Sequence, residues 1–219
     1  MGQRIQREIG MTFLQALTWR PADKPENRVF AAGMATLAVG LGHFALEALD
    51  VFGSKALTEL AAFLVCLWMF PNEPRARWTA RTSVLVVLLG LLGGALWIAF
   101  IGYPSRNTSQ FLTWDQIPLA YYLLGVFTSC VAAPLFEEKV VRHLLLTGAA
   151  HYLGRIVASV AVSLLFAWVH PDARILAFLF SIIICACIYT FSLDTWQRAV
   201  VHGLINLSII QWTVIYPNL

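Results

Sequence analysis

Several runs in this chain of 219 residues are apolar and long enough to cross a bilayer, which takes about 20 residues of helix. A chain in lipid must satisfy its backbone polar groups internally, and runs of this length do so as helices. Composition agrees: only 12% of residues are charged, about half the share of a soluble domain. Mean hydropathy is +0.71. These features predict an all-α fold, a polytopic transmembrane helical bundle of about seven to eight spans with a central hydrated cavity. A water-soluble α-bundle fits the composition poorly, and a net charge of +3 is too small to suggest nucleic acid. The four cysteines, Cys66, Cys130, Cys185 and Cys187, all lie in apolar runs. They read as small buried hydrophobes, not as a disulfide framework or metal site.

Residues 1–28 are polar and carry Ile5, Ile9, Phe13 and Leu17 at four-residue intervals. That spacing suggests a short helix lying on an anionic cytoplasmic membrane surface; a stripe packed on the protein itself is the other reading. Residues 29–117 form an N-terminal unit of three spans: Val29–Leu49, Ala56–Phe70, closed by Pro71 and Pro74, and Ser83–Tyr103. Gly33, Gly40 and Gly42 in the first span would permit close helix contact. His43 and Glu47 share a face there, as a ligand pair, a substrate contact or an internal hydrogen bond. Residues 118–219 form the remainder, with Leu119–Leu153 as one helix bent at Pro134 or as two segments. Further spans follow at Ile156–His170, Arg174–Phe191 and Thr195–Tyr216. Arg75, Arg77 and Arg81 make the second connection basic, so it and the N-terminus are expected in the cytoplasm. The compactness of the chain fits a bacterial plasma-membrane protein.

Against this background, Glu137, Glu138, Lys139 and Arg142 put four charges within six residues. Each costs about 3 kcal/mol in a bilayer on insertion scales, so a role is expected. Glu138 and Arg142 are four apart and predicted to pair on one helix face, which a purely structural ion pair would explain. Glu137 lies about 100° round the helix and can face another space. Two adjacent carboxylates in a poorly solvated site resist double ionisation. Arg142 favours the charge on Glu138, which suits Glu137 to taking a proton from water. Downstream come Phe166-Ala167-Trp168-Val169-His170 and His202-Gly203-Leu204-Ile205-Asn206. His202 and Asn206 share a face, and Gly203 admits a close neighbour. A lone histidine in an apolar helix is usually a satisfied core residue; two of them downstream of a carboxylate pair shift that balance.

These three patterns, E-E-x-x-x-R, F-x-x-x-H and H-x-x-x-N, resemble in kind and order the signature of the CPBP intramembrane proteases, also called the Abi or CAAX-protease family. An Ala-Pro before the carboxylates and Tyr189 before the last motif add to the likeness, which covers roughly residues 118–219. The chain departs from it at His143, where the family usually has glycine; that histidine could alter the substrate path or hydrogen-bond Glu138. The resemblance implies a hydrolase of the glutamic type, with no metal or other cofactor. Glu137 would be the base that activates water, and His170 would hold that water. His202 and Asn206 would stabilise the oxyanion, with Glu138 and Arg142 in support. Phe166, His143 and Trp168 are candidates for the substrate cavity. The implied partners are the lipid bilayer and a membrane-associated peptide or protein, such as a C-terminal sorting tail, a leader or a prenyl-type peptide. The rival readings are a zinc-dependent membrane protease, a non-catalytic immunity or scaffold protein, and a proton-coupled carrier.

Geometry adds a condition. His170 closes its span, whereas His202 lies about 10 Å into the last one at 1.5 Å per residue. They can meet only if spans tilt or the chain breaks within the membrane, which predicts a short or re-entrant connection near Pro171-Asp172.

Overall fold

The computed structural model describes residues 20–73, 77–101, 116–171 and 174–215. The proposed surface helix within residues 1–28 falls mostly outside them, as does most of the Pro104–Pro118 connection. Among the described residues the fold is all-α, with six helices. They are α1 (Pro25–Glu47), α2 (Ser54–Met69), α3 (Ala80–Ile101), α4 (Leu119–Trp168), α5 (Arg174–Phe191) and α6 (Thr195–Ile215).

The expected count of seven to eight spans is corrected to four: α1, α3, α4 and α5 are the helices long and apolar enough to cross a membrane. They make the chain an integral membrane protein. Three local causes separate the count from the expectation. At 16 residues, α2 is about 24 Å long, short of a hydrocarbon core of about 30 Å. The 21-residue α6 is long enough, but Gln197, Arg198, His202, Asn206 and Gln211 interrupt its apolar sequence. The region divided into two or three spans is one helical run of 50 residues, broken only at Gly154, where φ is 74° and ψ 162°. Glycine alone adopts such a backbone without strain.

Two stretches of α4 are π-helical, Thr128–Ala132 and Glu138–Leu145. The first has a simple cause. Pro134 has no N–H to give the Cys130 carbonyl four residues earlier, and the helix widens just before it, with Ala133 N–H bonding Thr128 O instead. The run continues through Pro134 without ending. That carbonyl lies against α6: a Cβ at Gly203 would stand 2.2 Å from Cys130 O. Only glycine lets the two backbones approach this closely.

Packing places α6 at the centre. Gly90, Gly93 and Gly94 of α3 lie directly against Leu204, Ile205 and Ser208, the small-residue contact that favours helix association in lipid. In α1 the expectation fares differently, since Gly33 and Gly40 have nothing near them and Gly42 alone meets a neighbour, Thr58. Ala31, Ala32, Phe63, Cys66, Phe136, Val140 and Leu144 join α1, α2 and α4 in one apolar cluster. Val86, Val201 and Ile205 join α3 to α6 in another. A capping box starts α6: Gln197 N–H donates to Asp194 Oδ1 at 3.0 Å, and Asp194 N–H to Gln197 Oε1 at 3.2 Å, satisfying two backbone donors reciprocally. All four cysteines are free thiols.

Candidate active site

Helix α4 presents its two adjacent carboxylates to different surroundings. Glu138 is fully buried and faces α6. His202 Nδ1–H donates to its Oε1 at 3.1 Å, and Arg198 Nε–H to its Oε2 at 3.2 Å. Glu137 lines a cavity of about 330 Å³. Its Oε2 has no hydrogen-bond partner and lies 3.8 Å from His202 Nε2. His202 therefore stands between the pair, bonded to one carboxylate and facing the other.

The same cavity is lined by Phe166, His170, His202 and Asn206. Helix α4 stops at Trp168, and α5 begins at Arg174, so the connection is short. His170 follows the last turn and packs on Phe166, ring centroids 4.4 Å apart; the His202 ring lies 6.5 Å from the same ring. His170 Nδ1–H donates to the Phe166 carbonyl at 2.7 Å. A carbonyl can only accept, so in the neutral ring this bond places the proton on Nδ1 and the lone pair on Nε2. Asn206 Nδ2–H donates to Ser129 O at 2.7 Å, within the first π-helical stretch, and its second amide hydrogen remains for another acceptor. An apolar cavity of about 210 Å³ adjoins this one and shares Trp97, Leu176, Phe180 and Ile205 with it.

Not every expected partnership forms. Glu138 and Arg142 make no ion pair among the described residues; the Arg142 nitrogens have no hydrogen-bond partner, and its guanidinium lies 4.4 Å over the Phe166 ring. The Glu138 oxygens are held instead by Arg198 and His202 of α6. His143 is not among the cavity-lining residues, and its partners are Lys139, Thr147 and Glu73 rather than Glu138. It is buried, accepts from Lys139 Nζ at 2.8 Å, and sits 3.9 Å from Glu73. Trp168 is 70% exposed and outside the lining. His43, far from the site in sequence, bonds Ser54 Oγ at 2.9 Å and stands 3.8 Å from Glu47.

The sequence reading missed Arg198 and Glu73. Arg198 donates to Glu138 and, at 2.8 Å, to Glu73 Oε1 in the connection after α2; Thr195 Oγ donates to Glu73 Oε2 at 2.5 Å. Burial would push the Glu73 carboxyl up, but Arg198, His143 and the Thr195 hydroxyl outweigh it and hold it below the usual carboxylate range. A legible signal existed for Arg198: with His202 and Asn206 it repeats every four residues along one face of α6. Glu73, in an irregular connection, had none. Among the described residues, no group of three or more His, Cys, Asp or Glu is arranged to hold a metal ion.

The fold and this cavity define an integral membrane protein with a carboxylate–histidine site inside a helical bundle. Residues 119–208, under half of the chain, match the family described as Type II CAAX prenyl endopeptidase Rce1-like. No curated protein and no solved structure matches the chain.

Proposed function

We propose that this chain is an intramembrane endopeptidase that hydrolyses a peptide bond of a membrane-associated substrate with water activated by Glu137 and His170. The observation that carries this reading is the free Glu137 Oε2, facing His202 across 3.8 Å in a cavity that His170 and Asn206 also line. Water in that cavity gives one proton to Glu137 Oε2 and donates its other hydrogen to the His170 Nε2 lone pair. The oxygen attacks the scissile carbonyl carbon. Charge develops on the carbonyl oxygen, where His202, in its imidazolium form, donates from Nε2 and Asn206 donates its second amide hydrogen. Collapse breaks the C–N bond, and Glu137 returns its proton to the leaving amine. Glu138 orients His202 through Nδ1, and Arg198 holds Glu138. The Rce1-like match over residues 119–208 supports the same reaction class.

In this reading the enzyme sits in a bacterial plasma membrane, with the N-terminus and the Arg75–Arg81 connection in the cytoplasm. The test is purified protein in vesicles with co-expressed candidate tail or leader peptides. Glu137→Gln and His170→Ala should lower the rate by about 100-fold or more, the usual scale of general acid–base catalysis. Asn206→Ala should lower it about 100-fold, the scale of one oxyanion donor. A chelator should leave the rate unchanged. Cleavage that persists in Glu137→Gln, His170→Ala and His202→Ala overturns the site; cleavage abolished by chelation overturns the metal-free mechanism.

A further inference from the structure

Arg142 completes the E-E-x-x-x-R pattern, but not as a partner of its glutamates. It is 1% exposed, and among the described residues none of its three nitrogens has a hydrogen-bond partner. A guanidinium carries five N–H donors, and burying them unpaired is costly. Glu138, the carboxylate expected to take them, is held by Arg198 and His202. What Arg142 meets instead is an aromatic ring: its Cζ stands over Phe166, 4.4 Å from the centroid. A cation so placed is drawn to the negative face of the ring, most strongly where water is excluded.

Phe166 connects this cation to the cavity, which its own side chain lines. It holds His170 in two ways. Its carbonyl accepts the Nδ1–H at 2.7 Å, and its ring packs on the imidazole, centroids 4.4 Å apart and planes 33° from parallel. Together these contacts set where His170 Nε2 points. A ring that turned or slid would carry the imidazole with it, and the ring is gripped by Arg142 from the second π-helical stretch. The side chains of the first two motifs therefore form a series, from guanidinium to phenyl ring to imidazole. Resting on the peptidase reading, we propose that Arg142 is a positioning residue for His170: it holds the Phe166 ring, and through that ring it keeps Nε2 turned toward the attacking water. The arginine then serves the histidine and not the Glu138 charge.

The experiment uses the full-length protein in phosphatidylcholine vesicles, with phenylalanine carrying zero, one, two or three ring fluorines at position 166. Each fluorine draws charge from the ring face and weakens its hold on a cation, with little change in size. The series is made with Arg142 and with Arg142→Met. Cleavage of tail or leader peptides should fall stepwise with fluorine, about 10-fold over the series, the scale of one desolvated cation–ring contact. In Arg142→Met it should start about 10-fold lower and stay flat. Arg142→Lys, which keeps the charge, should recover part of the rate. Nitrogen NMR of labelled histidines, assigned by loss of the His170 signals in His170→Gln, reads the ring directly. Wild type should show a protonated Nδ1 and a bare Nε2; Arg142→Met and the most fluorinated protein should show mixed tautomers. A rate that falls in Arg142→Met but ignores fluorine makes the guanidinium a counter-charge for Glu138 and overturns the proposal. A His170 spectrum that neither Arg142→Met nor fluorine alters also overturns it. The fluorinated proteins keep Arg142, so they decide the matter where Arg142→Met does not fold. A tautomer that shifts along the fluorine series where no peptide is cut supports the tie from Arg142 to His170, and counts against the Glu137 chemistry instead.

Discussion

Glu138 has lost all contact with solvent and Glu137 has not, although they are neighbours in the chain. Burial of Glu138 is tolerable because Arg198 and His202 both bond it, and Arg198 extends the network to Glu73. Removing the arginine would strand two carboxylates, the situation in which buried ion pairs prove costly. The Glu73 carboxyl is held below its usual range by Arg198, His143 and Thr195 against the opposing effect of burial. A carboxyl depressed on folding stabilises the protein above its unfolded value of about 4.3, and loses that contribution as pH falls through the lower folded value. Wild type should therefore be more stable than Glu73→Gln at neutral pH, by an amount that stays level down to about pH 4.3 and closes below it. Thermal unfolding in detergent across pH checks this. A difference that instead grows on acidification would contradict the assigned direction.

At the scale of elements, the contact between α6 and the first π-helical stretch of α4 sets the site. Gly203 against Cys130 O and Asn206 against Ser129 O hold α6 in register with Glu137. Gly203→Ala would bring a methyl to 2.2 Å from that carbonyl, and the helices would have to part. A loss of about 1–3 kcal/mol is expected from overpacking, together with a fall in cleavage rate larger than the fall in folded fraction; stability and turnover measured on one preparation test it. The same elements show what the sequence disclosed. The carboxylate pair, both histidines, Asn206 and the need for glycine at 203 were legible, because each is a polar or small residue out of place in an apolar helix. The Glu138–Arg142 pair was misread, because spacing along one helix does not disclose that Arg198 and His202 of another will take the Glu138 oxygens. The span count failed because the short α2 and the polar α6 were each counted as a span, and because α4 runs on past Gly154 to Trp168, absorbing the separately counted Ile156–His170. Nothing in a lone Glu73 after α2 signals that it will meet Arg198, 125 residues away.

On the scale of the whole molecule, the segment matching the Rce1-like family does not complete the site. Glu73 anchors Arg198, Lys55 and Trp97 supply cavity wall, and the glycines of α3 seat α6, all from before residue 119. Residues 116–219 expressed alone should therefore show neither cooperative unfolding nor cleavage, and co-expression with residues 1–101 should restore both. Activity from the fragment alone would show that the first half is dispensable.

The π-helical stretches carry a last consequence. Such a turn holds one residue more than an α-turn, so it can be viewed as an insertion into an ordinary helix. Deleting one residue within Thr128–Ala132 would return the ladder there to α-helical spacing, apart from the donor Pro134 lacks, and leave the downstream helix in its original phase. The bundle would then survive as a plain scaffold, while the carbonyls that α6 grips would turn elsewhere. A single-residue deletion thus separates the architecture from the chemistry, and a length difference at this point between related chains would mark which of them keep the site.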